Sequence, residues 1–154
     1  MTISRIYLDT EFTSLNRYQA KLISLALVVP EGPELYVELI DTWKPPDCSS
    51  FVTYTVLPLL NHAVYGRTTD QARAELLAFL QALGPVEIIT DAPDHDWPLL
   101  LWLSGSEGLP GNVHPEPGLL SIDLDADYAG EEPPHHALQD ARLLAALAEK
   151  TNPA

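Results

Sequence analysis

The sequence has little of what builds a cross-linked or membrane-embedded protein. Cys48 is the only cysteine in 154 residues, so no internal disulfide can form and a reducing, cytoplasmic setting is expected. No apolar run approaches the length that crosses a bilayer, and no basic segment precedes an apolar stretch at the N-terminus. Repeats and low-complexity tracts are also missing, and we expect one globular domain spanning residues 1–154.

Positive charge is scarce as well. Eight Lys and Arg residues stand against 22 Asp and Glu residues, giving a net charge of −14. Such a chain is poorly suited to wrapping long duplex DNA or RNA, because that binding neutralises many phosphates with Lys and Arg. A short single-stranded end, held by bound metal ions, a few hydrogen bonds and a stacking ring, is compatible with the charge.

The apolar pattern predicts an α/β fold with a mixed sheet. Three β-type runs separated by turn signals suit an antiparallel meander: Ile3–Asp9, Leu22–Val29 and Leu35–Ile40. Predicted helices and strands then alternate: helix Asp70–Leu83, strand Val86–Thr90, helix Pro98–Leu103, strand Leu119–Leu124 and a last helix from about His136 to Lys150. Thr69 or Asp70 can cap the first of these helices. This order predicts a three-strand meander extended by parallel strands and flanked by helices.

Asp9 and Glu11 stand at the end of the first apolar stretch of the chain, Ile3 to Phe12. Side chains alternate along a strand, so these two carboxylates share one face. They repel each other unless a proton or a cation neutralises one of them, and a hard divalent cation such as Mg²⁺ is the natural partner. A lone pair of this kind is more often a solvated strand end, so its meaning depends on further acids aimed at the same point.

Asp140 interrupts the apolar stripe of the last helix. At about 100° per residue it lies between Leu144 and Leu147 on the helical wheel, where an unpaired charge is costly. The alternative is a stripe rotated so that Asp140 lies at its exposed rim. His135 stands five residues earlier, just before the helix, where an imidazole can act as a general base or can simply be a surface histidine.

A third acid is expected between Thr90 and Trp97, directly after a strand. If the turn enters the helix regularly, Asp96 shares a face with Leu99 and Leu100, or else it caps the helix. We rank Asp96 first among the three aspartates of this segment, with Asp94 second and Asp91 third.

Taken in order, these residues resemble the DEDDh 3′–5′ exonucleases of the ribonuclease-H-like fold. The first motif of that family, D-x-E at the end of the first strand, is matched by Asp9-Thr10-Glu11. The third motif, H-x(4)-D at the start of a late helix, is matched by His135 to Asp140. The matched motifs span residues 6 to 142, and the short chain looks most like small bacterial 3′–5′ exoribonucleases. It has Phe12-Thr13-Ser14-Leu15 where many relatives have Thr-Gly.

The resemblance implies a site and an activity. Two Mg²⁺ or Mn²⁺ ions would be held by four carboxylates, those of Asp9, Glu11, Asp96 and Asp140. Glu11 and His135 would be catalytic, with His135 deprotonating the attacking water. Phe12 and Thr13 would bind the terminal nucleotide, Phe12 by stacking unless it is a core residue. The expected substrate is the 3′ end of single-stranded RNA or DNA, or a short oligonucleotide, cut into nucleoside monophosphates.

The sequence leaves two alternative functions and one structural question open. The chain can be a catalytically silent member of the fold that serves as a nucleic-acid or polymerase-associated binding module. It can also be an enzyme of the same fold that acts on small nucleotides. Trp97 and Trp102 suit either the core or a homodimer interface.

Overall fold

A computed structural model describes the protein over residues 2–120 and 133–151. Within these ranges five strands form one sheet: β1 (Ser4–Phe12), β2 (Leu22–Val28), β3 (Glu34–Leu39), β4 (Gly66–Arg67) and β5 (Val86–Ile89). The strands lie in the order β4-β3-β2-β1-β5. Strands β1 to β3 pair antiparallel, whereas β5 runs parallel to β1 and β4 parallel to β3. The predicted mixed sheet is confirmed.

Two strand predictions differ from the structure. Strand β1 continues to Phe12 instead of ending at Asp9, because Glu11 and Phe12 still pair with β2. Both acids of the first motif therefore lie inside a hydrogen-bonded strand. The predicted strand from Leu119 is not observed at Leu119 and Leu120, and its remaining residues, 121–124, lie outside the described ranges.

The helices in the described ranges flank this sheet: α1 (Ser50–Thr55), α2 (His62–Tyr65), α3 (Thr69–Gln81), α4 (Pro93–Ser104) and α5 (Ala137–Thr151). Thr68, rather than Thr69 or Asp70, caps α3, since its hydroxyl accepts the Gln71 N–H at 3.2 Å. None of these helices is both long and apolar enough to cross a bilayer.

Helix α4 begins at Pro93, five residues before the predicted start at Pro98. Pro93 occupies the first turn, where a missing N–H costs nothing, and its fixed φ favours helix. The helix then continues through Pro98 despite the hydrogen bond that this residue cannot donate. Asp94 and Asp96 consequently lie in the first turn, and the N-cap position belongs to Ala92 rather than to Asp96.

The two faces of the sheet carry different helices. One face packs on α3 and α4 through residues such as Ile6, Leu8, Leu76 and Leu100, and Trp97 packs partly buried against this core. The other face packs on α5, mainly through small residues: Ala26, Ala137, Ala141, Ala145 and Ala148. Trp102 stays exposed, and its role in a homodimer stays a prediction.

A bulge interrupts the pairing of β1 and β2 beside the first motif. Glu11 pairs with Ser24 and Phe12 with Leu22, so Ile23 has no partner on β1. A bulge re-aims the extra residue, and Ile23 is fully buried against Val52 at α1 and Val56 just after it. Helix α1 is thereby fixed next to the end of β1.

Candidate active site

Three carboxylates converge between β1 and α5. Alternation along β1 points Asp9 and Glu11 to the α5 face, the face on which Tyr7 packs. Asp140 lies in the first turn of α5 and is buried within the alanine-rich stripe rather than at an exposed rim. One oxygen from each of the three carboxylates lies within 4.8 Å of the others.

The position of Asp140 depends on the turn before the helix. The backbone N–H groups of His135 and His136 lower the pKa of its carboxyl group, which also interacts with the neighbouring Glu11 carboxyl. The Asp140 N–H in turn donates to the carbonyl of His136 at 2.8 Å. His135 stands five positions before Asp140 and does not share its helical face. The turn between them nevertheless brings His135 beside the Asp140 carboxylate.

A second group of carboxylates meets Asp9 from the β5 side. One oxygen each from Asp9, Asp91 and Asp96 lies within 4.8 Å of the others. Asp96 is fully buried and accepts hydrogen bonds from the hydroxyls of Thr10, at 2.6 Å, and of Thr90. Asp9 belongs to both groups, so two clusters of three carboxylates share one side chain.

Asp91 and Asp94, ranked third and second from the sequence, have different surroundings. Both are exposed, but Asp91 is part of the second group, whereas Asp94 belongs to neither group among the described residues. Asp91 follows β5 almost directly, and β5 runs parallel to β1. The carboxyl ends of neighbouring parallel strands meet at the same edge of a sheet. Parallel pairing of β5 with β1, if assumed from the sequence, would therefore have predicted that Asp91 lies near Asp9.

The pKa values of these groups reflect their crowding. Burial, and then the charges of Asp96 and Glu11, raises the pKa of Asp9 well above its ordinary range. Burial and the neighbouring Asp140 raise the pKa of Glu11 to about 8. Burial raises the pKa of Asp96 to about 7 and that of Asp140 to about 6, although hydrogen bonds oppose both shifts. The cluster therefore resists full ionisation by itself.

The donor set fits divalent metal ions. Oδ2 of Asp9 and Oδ1 of Asp140 are buried and have no hydrogen-bond partner among the described residues. Buried polar atoms are normally satisfied, and carboxylate oxygens are the preferred ligands of hard cations. A cation would supply the missing partner and relieve the mutual repulsion of the acids.

His135 borders the first group in an unusual backbone conformation. Its φ is 58°, in the left-handed region that few non-glycine residues adopt. Its imidazole meets the ring of Phe51 edge to face, with centroids 5.0 Å apart and planes at 90°. The adjacent His136 instead packs over Tyr36, and burial lowers its pKa.

The two predicted substrate residues have different surroundings. Phe12 is partly exposed and stacks on His95 of α4, with centroids 5.1 Å apart and planes at 6°. Thr13 is buried, and its hydroxyl accepts the Lys21 N–H at 3.0 Å. That bond closes the loop after β1, so the Thr13 hydroxyl is already engaged within the fold.

Comparisons with known proteins bear on the fold. No protein-family model matches the chain, and no curated protein matches it in sequence. Among solved structures it is similar to cell-death related nuclease 4, with a TM-score of 0.61 and 16% sequence identity. The match covers 96% of this chain and 63% of that protein. At this identity the likeness shows a shared fold, in agreement with the α/β sheet described above.

Proposed function

We propose that this protein is a metal-dependent nuclease that shortens single-stranded nucleic acid from the 3′ end, with RNA or short oligonucleotides as substrate. The observation that carries the proposal is the pair of three-carboxylate groups sharing Asp9, in which two buried oxygens have no hydrogen-bond partner among the described residues. The DEDDh-like motif order supports the direction of cleavage, and the structural neighbour is itself named a nuclease.

The carboxylates form two candidate ion sites. Asp9, Glu11 and Asp140 would hold one Mg²⁺ or Mn²⁺ ion, and Asp9, Asp91 and Asp96 would hold the second. When bound, such ions lower the pKa of a coordinated water and offset the charge that develops on the phosphate. His135 accepts a proton from the attacking water on its imidazole nitrogen. Thr10 and Thr90 hold the Asp96 carboxylate in place.

The substrate's end would lie on the flat surface of Phe12 and His95. A nucleobase stacks on such a ring without requiring a positive charge nearby, which suits a chain with so few cations. A net charge of −14 also disfavours long duplexes and fits a short single strand engaged through metal ions.

The proposal is tested with 5′-labelled single-stranded RNA and DNA oligonucleotides in Mg²⁺ or Mn²⁺, with products resolved on a gel. We expect a ladder that shortens from the 3′ end. Asp9→Asn and Asp140→Asn should lower the rate at least about 100-fold, because each removes charge from the reacting centre. Full activity of either variant, or of the wild type in excess EDTA, contradicts the proposal. A protein inert on single strands and small nucleotides in Mn²⁺ would support the binding-module alternative.

A further inference from the structure

Strand β3 carries a buried carboxylate that the proposed reaction does not use. Glu38 lies wholly inside the protein, with none of its surface exposed. Its Oε2 accepts the Tyr36 hydroxyl at 2.5 Å, and both of its oxygens accept the Asn61 backbone N–H, at 2.8 and 3.0 Å. A buried carboxylate is strongly destabilising unless hydrogen bonds compensate it. Glu38 is therefore held in one position by these donors, and it fixes the Tyr36 hydroxyl in turn.

This β3 pair is in register with the first two carboxylates of the candidate site. Residues opposite each other on neighbouring strands project from the same face of the sheet. Two such rows cross β1, β2 and β3 on the face that packs on α5: Asp9–Ala26–Tyr36 and Glu11–Ser24–Glu38. Neighbouring strands lie about 4.8 Å apart, so the β3 pair is about 10 Å from the acids of β1. Only the small side chains of β2 stand between them in the sheet.

His136 joins the β3 pair to the turn before α5. Its imidazole packs on the Tyr36 ring, with centroids 4.8 Å apart and planes at 34°. Its Nδ1 is buried without a hydrogen-bond partner among the described residues, so packing on Tyr36, rather than a hydrogen bond at this nitrogen, orients the ring. Its backbone carbonyl accepts the Asp140 N–H at 2.8 Å. His136 therefore contacts β3 through its side chain and the first turn of α5 through its backbone.

The neighbouring His135 depends on support from its surroundings. Its φ of 58° is unfavourable for a residue with a Cβ atom, and such conformations persist only where the rest of the structure imposes them. The Phe51 ring contacts the His135 imidazole, while the packing of His136 on Tyr36 fixes the backbone of the next residue. A displaced Tyr36 ring would thus affect His135 across a single peptide bond.

We propose that Tyr36 and Glu38 are positioning residues of the candidate active site. They act through His136, whose side chain rests on Tyr36 and whose backbone sets the position of His135 beside the carboxylates. This inference rests on the proposed nuclease function and adds the residues that hold its proposed general base. Neither Tyr36 nor Glu38 touches the substrate in this arrangement. Their loss should therefore slow the chemical step more than it weakens substrate binding.

The first test measures kcat and KM on a single-stranded oligonucleotide, at a temperature where circular dichroism shows every variant folded. Tyr36→Phe keeps the ring but releases it from Glu38, so kcat should fall about 10-fold or more while KM stays near the wild-type value. Tyr65→Phe is the matched control, because it removes a hydroxyl from a ring that packs on Tyr36 with centroids 4.9 Å apart. It should retain the wild-type kcat. A Tyr36→Phe protein with a lower Tm but an unchanged kcat would show a purely structural role and overturn the inference.

Two substitutions at Glu38 test whether the hydrogen bond is what matters. Glu38→Gln keeps an oxygen that can accept the Tyr36 hydroxyl and should have a kcat closer to wild type than Tyr36→Phe has. Glu38→Leu removes the acceptor and should lower kcat at least as much as Tyr36→Phe does. The double variant of Tyr36→Phe and Glu38→Leu should be no slower than Glu38→Leu, since both changes remove the same bond. Additive losses, or a change confined to KM, overturn the inference.

Nuclear magnetic resonance of the histidine rings tests the inference without requiring activity. The chain has five histidines, whose ring signals are assigned by replacing each in turn. Tyr36→Phe should shift the signals of both His136 and His135, whereas His114, in the loop after β5, should keep its signal. A shift of His136 with His135 unmoved overturns the inference. If the wild type cleaves nothing, the nuclease proposal fails by itself, and the His135 signal alone decides whether Tyr36 positions this residue.

Discussion

Thr10, the residue between Asp9 and Glu11, donates its hydroxyl proton to Oδ1 of Asp96 over 2.6 Å. Because side chains alternate along β1, the tripeptide reaches both faces of the sheet. Two carboxylates face α5 while the hydroxyl between them holds an acid of α4. The strand that carries Asp9 and Glu11 thus also positions a buried acid that lies 86 residues after Thr10 in the chain.

Thr10→Val should destabilise the protein. Valine keeps the shape of threonine but leaves Oδ1 of buried Asp96 without its donor, a loss of about 1–3 kcal/mol in the free energy of unfolding. Urea denaturation measures the change. Thr53→Val, at an exposed position where the hydroxyl bonds to the Ser49 carbonyl, is the matched control and should change stability by under about 0.5 kcal/mol. Equal effects of the two substitutions would show that the Thr10–Asp96 bond contributes nothing specific.

Asp91→Asn and Asp94→Asn should separate cleanly in a nuclease assay. Both acids lie in the segment that follows β5, but only Asp91 belongs to a carboxylate group. Asp91→Asn should lower the rate about 10- to 100-fold through weaker binding of the second ion, as expected for a perturbed metal site. Asp94→Asn should stay within about twofold of wild type, as surface substitutions do. The reverse order of effects would contradict the assignment of Asp91 to the second ion position.

His135→Asn should remove the proposed general base without disturbing the fold. Asparagine tolerates the left-handed backbone that φ of 58° requires, which alanine does less well. We expect kcat to fall about 10²- to 10⁴-fold, the usual contribution of a positioned base. Mn²⁺ binding measured by calorimetry should be preserved, because none of the carboxylates proposed to bind metal is altered. Loss of Mn²⁺ binding in this variant would mean that His135 supports metal binding instead of deprotonating the attacking water.

The metal-free protein should lose stability as pH rises from about 5 to 8. In the folded state the pKa of Glu11 is about 8, that of Asp96 about 7 and that of Asp140 about 6. Over this window the folded chain keeps protons that the unfolded chain has released, so raising the pH favours unfolding. His136, whose pKa is lowered, acts in the opposite direction.

Thermal unfolding in EDTA across this pH range measures the effect. The Tm should fall by several degrees or more, since each pKa unit by which a carboxyl group is raised corresponds to about 1.4 kcal/mol. Added Mg²⁺ or Mn²⁺ should reduce this decrease in Tm, and Glu11→Gln should weaken the dependence of Tm on pH in EDTA. A Tm that rises between pH 5 and 8 in EDTA would contradict the assigned carboxyl environments.

Much of this architecture can be predicted from local patterns. The meander follows from three apolar runs with turn signals, and the burial of Asp140 follows from its place in a helical stripe. Both depend on periodicity within one element, which the sequence displays directly. The convergence of Asp9, Glu11 and Asp140 was expected from the motif order rather than from any single spacing.

Other features depend on contacts between distant elements and were not predictable in this way. The sequence pattern predicts too late a start for α4 because Pro98 disfavours helix locally, whereas packing of the helix on the sheet outweighs that preference. Asp91 joins the site only through the parallel pairing of β5 with β1. The engagement of the Thr13 hydroxyl depends on Lys21, across a loop whose closure no periodic pattern reveals.

Because Ile23 of β2 has no partner on β1, the surroundings of the site depend on the number of residues in β2. Deleting one residue there would let β1 and β2 pair without interruption past Glu11, and by strand geometry alone the sheet would be more regular. The side chain that anchors α1 would then be lost, and the helix bearing Phe51 would no longer be held against the loop after β1. Homologues with a deletion at this position should therefore keep the carboxylates but differ in the aromatic residues beside them, a pattern that an alignment of this chain with its relatives would reveal.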